Sequence, residues 1–341
     1  MPKKRVTSGM RPTGSLHLGN LLGALDNWVS LQDEYDCYFF IVDWHSLTTP
    51  GGGGAVGYEN LDGLRDNINE IAIDWVSAGL DPDKCSIFVQ SFVPEVAELN
   101  LIFSMVTPLG WLERNPTYKD MVKSYAIESP SYGLLGYPTL QSADILLYKG
   151  DFVPVGKDQE AHINMTKDLA ARFNNLYGRD IFPLTKSLLT EVPKVPGIDS
   201  VDRKMSKSSG NHIALSLSEE ETTKKIKSMF TDPVKIRKDD AGHPDGCVVF
   251  AFHKIYNSKN LEGIRSECEA GERGCVDCKM QLASKMNEAL RPIREKRRYF
   301  EEKPEIITDI LESGASTARR IAKGTLEEVR EVMKLPTRRG I

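Results

Sequence analysis

The patterning of this chain implies an α/β fold: a doubly wound parallel sheet followed by a smaller α-helical unit. Three features carry that expectation. Short apolar runs alternate with helix-period segments through the first part of the chain. The run Cys37-Tyr38-Phe39-Phe40-Ile41-Val42 is apolar at every position, as suits a strand covered on both faces. Beyond about residue 215 strand signals fade and helix patterns dominate.

In order along the chain, residues 4–9 read as a short strand entering a turn. Leu18, Leu21, Leu22, Leu25, Trp28 and Val29 then recur at helical spacing. The next strand is the apolar run from Cys37. The glycine run 51–54 reads as a flexible loop. Leu61, Leu64, Ile68, Ile71 and Trp75 mark a second helix, which Gly79 stops. Ser86–Val89 and Asp151–Val155 are further strands, and residues 158–173 a helix. Such alternation implies right-handed crossovers, with ligands beyond the carboxyl ends of the strands. The turn at 10–16 sits at such an end. Ser216 and Ser218 precede Glu219-Glu220-Glu221, an acidic first turn that suits a helix start. A boundary near 212–216 divides the chain into a Rossmann-type unit, 1–212, and a helical unit, 213–341.

A length of 341 residues admits one large or two medium domains. With 40% hydrophobic and 27% charged residues, the composition is that of a globular protein. No apolar run is long enough to cross a bilayer. The basic start Met1-Pro2-Lys3-Lys4-Arg5 leads into no apolar signal segment, so a cytoplasmic location is expected. The net charge of −4 does not advertise nucleic acid, yet RNA requires only a local basic face.

Two strings carry the chemistry. In Pro12-Thr13-Gly14-Ser15-Leu16-His17-Leu18-Gly19-Asn20, Gly14 and Gly19 permit close backbone approach. Free N–H groups at a helix start favour an anion, and His17 and Asn20 add donors. Taken alone, turn chemistry also explains this string. Neither a GxGxxG nor a GxxxxGK[ST] loop is present. The second string, Lys204-Met205-Ser206-Lys207-Ser208, puts two compact cations on a loop rich in small polar residues. Alone it reads equally well as a solvated linker. Closed over a triphosphate, Lys204 and Lys207 would neutralise charge developing on a pyrophosphate leaving group. Together the strings point to an ATP-activating site.

The four cysteines Cys247, Cys268, Cys275 and Cys278 are spaced C-x20-C-x6-C-x2-C. In a cytoplasmic chain such clustering favours metal over disulfides. Four thiolates suit zinc or a [4Fe–4S] cluster, and the wide x6 arm favours the cluster. Free or oxidised thiols are the third reading.

At His17-Leu18-Gly19-Asn20 and Lys204–Ser208 the chain resembles the class I aminoacyl-tRNA synthetases, whose signatures are a HIGH-type string and KMSKS. It is most similar to the bacterial-type tryptophanyl subset, through Ser8–Gly14, Gly110-Trp111-Leu112-Glu113-Arg114, Tyr137–Leu146 and Val153–His162. The likeness runs from about residue 5 to 335. It implies activation of tryptophan by Mg-ATP, release of pyrophosphate, and transfer of tryptophan to tRNA(Trp). It implies catalytic roles for His17, Asn20, Lys204 and Lys207. It implies ATP contacts from Arg11, Pro12, Thr13, Gly19, Asn20, Gly156, Lys157, Asp158, Val195, Lys204, Met205, Ser206, Lys207 and Ser208. Arg11 stands where many relatives carry Gln, and Lys119 is an additional phosphate candidate. A homodimer bridged by tRNA is implied, as is a [4Fe–4S] cluster on the four cysteines, associated with a similar pattern in some members.

For the amino acid, Asp144 lies among Leu140, Ala143, Ile145, Leu146 and Leu147. A carboxylate in that company needs a donor. An indole N–H is a donor and nothing else. A phenol also donates, so tyrosine is the nearest rival substrate. By resemblance Val153 and Val155 line the pocket, and Tyr137 and Gln159 hold the amino group. Arg291, Arg294, Lys296, Arg297 and Arg298, beside Tyr299 and Phe300, suit single-stranded RNA or, alternatively, a solvated helix face. A synthetase-like RNA-binding module without activity is the remaining alternative.

Overall fold

The computed structural model describes residues 3–51, 56–124, 126–156, 160–189 and 195–336. Among these residues five parallel strands form the main sheet: β1 (Arg5–Met10), β2 (Asp36–Ile41), β3 (Cys85–Val89), β4 (Phe152–Val155) and β5 (Lys186–Leu189). Their spatial order is β3-β2-β1-β4-β5. The chain reverses its direction of travel across the sheet at β1, so the carboxyl ends of β1 and β4 border the crevice where a ligand fits. Register is continuous from Arg5↔Asp36 to Met10↔Ile41 and from Cys37↔Cys85 to Ile41↔Val89.

Residues of β2 alternate between two cores. Cys37, Phe39 and Ile41 face one, with Trp28, Trp75 and Ile87. Tyr38, Phe40 and the following Val42 face the other, with Phe88, Phe103, Tyr148 and Phe173. Burial on both faces is the physical origin of the unbroken apolar run. Helices α1 (Asp26–Glu34) and α2 (Leu64–Ala78) cover the first face; α3 (Glu95–Val106), α5 (Tyr132–Leu146) and α6 (Glu160–Tyr177) cover the second. A short helix, α4 (Pro116–Ser124), precedes α5.

Three local expectations are refined. The helix from Leu18 is not regular: one α-turn, Leu18–Asn20, gives way to a π-helical stretch, Leu21–Leu25, before α1. Such widened turns cluster at functional sites, and here Gly23 and Ala24 within it face the crevice. Helix α2 starts at Leu64 rather than Leu61, because Gly63 adopts a left-handed φ of 75°. Strand β5 was not anticipated; it is four residues long and half exposed, so it carries no apolar signature.

Beyond a short antiparallel pair, β6 (Pro196–Gly197) and β7 (Ser200–Lys204), the labelled elements are helices. These are α7 (Glu219–Lys227), α8 (Val248–Tyr256), α9 (Leu261–Glu269), α10 (Cys275–Glu301) and α11 (Pro304–Val332). Ser218 caps α7 by accepting the Glu221 N–H while Glu221 accepts the Ser218 N–H, the reciprocal box that its acidic start favours. Helix α11 returns to the sheet. Its Ala315, Ala318 and Ala322 join the second core, and a Cβ added at Gly314 would overlap the Ile87 carbonyl oxygen. Among the described residues no helix is long and apolar enough to cross a membrane.

Candidate active site

A cleft of about 700 Å³ opens at the carboxyl ends of β1, β2 and β4. Met10 and Arg11 leave β1 into it, Val42 and His45 follow β2, and Val155 and Gly156 end β4. The turn after β1 brings the first string to its rim. Gly14 there takes a φ of 90°, a left-handed value that side chains resist. His17 donates its backbone N–H to Asn20 Oδ1 (3.1 Å), closing the first helical turn. Burial, then the nearby His212, Lys207 and Lys204, push the His17 imidazole down to about 4. It is neutral near pH 7, one ring nitrogen donating and one accepting.

The second string meets the first directly. The Leu18 N–H donates to the Ile213 carbonyl (3.0 Å), and the Leu215 N–H to the Leu16 carbonyl (2.8 Å). Lys207 Nζ donates to the Thr13 carbonyl at 2.8 Å. Asn211 shapes the loop between: its Oδ1 accepts the Ser206 N–H (2.8 Å), and its Nδ2 donates to Asp199 (2.9 Å). Met205 is buried as the loop's anchor, its N–H donating to the Val195 carbonyl. Lys204 reaches the cleft wall.

Asp144 lies deeper, on α5, essentially without solvent contact. It is not the isolated acid its neighbours in sequence imply. Gln90 Nε2 donates to both carboxylate oxygens (2.7 and 2.8 Å) and His45 Nε2 to Oδ2 (2.9 Å). The Gln90 amide is oriented by the Trp44 N–H, which donates to its Oε1 (3.1 Å). Burial raises the Asp144 carboxyl, and the His45 and Gln90 hydrogen bonds oppose the rise. Tyr137 is pushed up to about 12, chiefly by burial, with Thr117 and Asn115 nearby opposing the rise; among the described residues its hydroxyl makes no well-formed hydrogen bond. A neutral phenol facing a cleft is available to a ligand.

Of the residues singled out in the sequence, Arg11, Gly19, Asn20, Tyr137, Asp144, Val153, Val155, Gly156 and Lys204 line this one cleft. Pro12 is buried in the turn, and Thr13, Ser206, Lys207 and Ser208 lie where turn and loop touch. The Val195 side chain belongs to the core and does not line the cleft. Lys119 is exposed on α4, away from the lining. Lys157, Asp158 and Gln159 fall outside the described residues. His45, Gln90, Asn27, Gln141, Thr117 and His162 line or support the site without having been anticipated. Gln90 stands directly after a strand end, where ligands bind, but nothing local in the sequence ties it to Asp144.

The four cysteines lie elsewhere, around a small cavity of about 30 Å³ between α8, α9 and the start of α10. Arg273 and Lys235 border the same cavity. Among the described residues no three His, Cys, Asp or Glu side chains are arranged to hold a metal ion. The basic stretch on α10 is not one surface either. Arg294 donates to the Leu217 carbonyl and Thr222, and Arg297 is buried in ion pairs; Lys296, Arg298 and Tyr299 remain exposed.

The model of the family described as tRNA synthetases class I (W and Y) matches residues 2–291. The chain belongs to that family. Within the class I synthetases it falls with the bacterial-type tryptophan–tRNA ligases. It is 43% identical to the tryptophan–tRNA ligase of Aquifex aeolicus, with 97% of this chain and 100% of that protein covered. It is 44% identical to the tryptophan–tRNA ligase of Thermotoga maritima, covering 97% and 99%. The solved tryptophanyl-tRNA synthetase of Campylobacter jejuni, complexed with ADP and tryptophan, superposes with a TM-score of 0.86 at 35% identity, covering 97% and 100%.

Proposed function

We propose that this chain activates L-tryptophan with Mg-ATP and transfers it to tRNA(Trp). One observation carries the reading: Lys207 of the second string donates to the Thr13 carbonyl of the first, and the segment just beyond it, 213–215, pairs backbone to backbone with 16–18, at the rim of a cleft whose floor holds a buried, doubly supported acid. The tryptophan carboxylate oxygen attacks the α-phosphorus, the bond to the bridging oxygen of pyrophosphate breaks, and tryptophanyl-adenylate forms. A ribose hydroxyl of the tRNA terminus then attacks the activated carbonyl, and AMP departs with the bonding pair.

No protein nucleophile is required, so the chain's work is positioning and charge neutralisation. Lys204 and Lys207 face the pyrophosphate as it leaves. The turn at Gly14–Asn20, with neutral His17, supplies donors to the phosphates. Asp144 accepts the indole N–H, Val153 and Val155 form the apolar wall, and Tyr137 with Gln159 addresses the amino end. Gly156, Lys157 and Asp158 take the ribose side, and Arg11 the triphosphate side. The test is amino-acid-dependent ATP–pyrophosphate exchange. Exchange driven by tryptophan supports the reading; exchange with tyrosine only, or none, rejects it.

Residues 1–212 are the catalytic unit in this reading, and 213–341 the tRNA-facing helical unit of a cytoplasmic homodimer. Exposed Leu101, Met105 and Leu109 support a dimer contact near α3. Cys247, Cys268, Cys275 and Cys278 would hold a [4Fe–4S] cluster. The chemistry of the donor set supports this: four cysteines line one cavity beside two cations, and a cluster's corners reach thiols set too wide for a single zinc ion. Such a cluster would brace the start of α10. Anaerobic purification decides it: iron and sulfide with visible thiolate-to-iron absorption support the cluster, and a colourless protein overturns it.

A further inference from the structure

Arg297 stands near the end of α10, far in sequence from either phosphate string, and is 3% exposed. Its guanidinium pairs with Asp74 and with Glu70 (2.9 Å) on α2 and with Glu301 (2.8 Å) on its own helix. Asp74 is fully buried. Its other oxygen accepts the Leu16 N–H at 2.6 Å, and Glu70 accepts the Ser15 hydroxyl at 2.9 Å. Arg297 therefore sits directly beneath the turn Ser15–Leu16 that precedes His17. The turn's backbone is pinned by the carboxylate that Arg297 neutralises.

The same carboxylates face the second string. Burial lowers the Lys207 ammonium below its ordinary value, and Asp74 and Glu70 oppose that, favouring its charged form. Its ammonium reaches the turn from above, on the Thr13 carbonyl. Burial holds the Asp74 carboxyl up at about 6 even with Arg297 beside it. Without Arg297, Asp74 would take up a proton and weaken its hold on the Leu16 N–H, while Glu70 would stand unneutralised, competing for Lys207 and repelling an incoming triphosphate. We propose that Arg297 is a positioning residue for ATP: it holds the Asp74–Leu16 bond in register and leaves Lys207 free for the pyrophosphate. The forked guanidinium suits the task because one side chain must serve Asp74 and Glu70 at once, which a point-charge ammonium does less well. Helix α10 also begins at Cys275 and Cys278. The phosphate turn is thereby tied to the helical unit through one continuous element.

This inference rests on the ATP-activating reading, and the experiment separates the two. Tryptophan-dependent ATP–pyrophosphate exchange is measured for the wild-type chain, Arg297→Gln and Arg297→Lys, varying ATP and tryptophan separately. A wild-type chain without exchange removes the ATP-activating reading itself. With an active wild type, Arg297→Gln should raise the ATP KM about tenfold or more, while the tryptophan KM stays within about twofold. Arg297→Lys should fall between the two. Adding Glu70→Gln to Arg297→Gln should recover part of the loss by removing one uncompensated charge. An unchanged ATP KM in Arg297→Gln overturns the proposal, as does an equal rise in both KM values. Should Arg297→Gln not fold, Arg297→Lys decides: an ATP KM equal to wild type overturns the proposal, and a selective rise supports it.

Discussion

Asp144→Asn tests how the cleft recognises its amino acid. The substitution keeps size and shape and removes the charge. Three contacts from two donors, Gln90 Nε2 and His45 Nε2, occupy the carboxylate, and Oδ1 receives one of them. A carboxylate has about four lone-pair sites, so a position remains for one more donor. That donor is the indole N–H in the reading above. A hydrogen bond to a charged group contributes about 1.5–3 kcal/mol, so kcat/KM for tryptophan in pyrophosphate exchange should fall roughly 10- to 150-fold. Asparagine would also turn an N–H2 toward at least one of two donors, adding to the loss. A tryptophan analogue with sulfur in place of the indole N–H isolates the effect. The wild-type chain should reject it, and Asp144→Asn should treat analogue and tryptophan nearly alike. A tryptophan kcat/KM within about threefold of wild type, or an unchanged preference over the analogue, would refute the reasoning. A urea titration alongside separates site damage from unfolding.

Further expectations concern the rim, the pH response and the sheet. Lys207→Met should lower kcat for exchange by about 10²–10³ with little change in the tryptophan KM, as loss of one preorganised transition-state donor does; a drop below about fivefold would remove Lys207 from the leaving-group site. His17 is held near 4 against its ordinary 6.5, chiefly by burial, so the unfolded chain binds the extra proton between those values. Its contribution to stability is complete above pH 6.5 and is lost as pH falls toward 4. Urea midpoints of wild type should therefore drop more steeply over that range than those of His17→Gln, by up to about 1.4 kcal/mol per pH unit. Gly314→Ala must push α11 off the Ile87 carbonyl and should destabilise by roughly 1–3 kcal/mol, read as a lowered thermal midpoint. A midpoint equal to wild type would mean that α11 has room to shift.

The legible parts of the chain are those whose chemistry is local. Strands β2 and β3 could be read because burial on both faces leaves runs of apolar residues, unbroken from Cys37 in β2 and from Ile87 in β3. The turn before His17 and the loop from Lys204 could be read because glycines, small polar residues and paired lysines carry their meaning within a few positions. Asp144 was readable as a buried acid for the same reason. Its supporters were not: His45 follows β2 and Gln90 follows β3, and only the parallel packing of those strand ends brings them to α5. Edge strand β5, short and half exposed, lacks the burial that makes a pattern.

The α10 arginines mark the limit most clearly. Arg291, Arg294, Arg297 and Arg298 look alike in sequence, as basic residues on a helix. Arg297 alone faces α2, where Asp74 and Glu70 bury it; Arg298, one residue and about 100° around the helix, stays in water. From the residues alone came the alternation of strands and helices, the two phosphate strings and the family they belong to. That Lys207 reaches Thr13 while 213–215 pairs with 16–18, and that a charge on the far helix underlies the turn, was decided by tertiary packing. Propensity and periodicity act over a few residues, whereas a hydrogen bond or ion pair depends on which distant group the fold delivers to the same point.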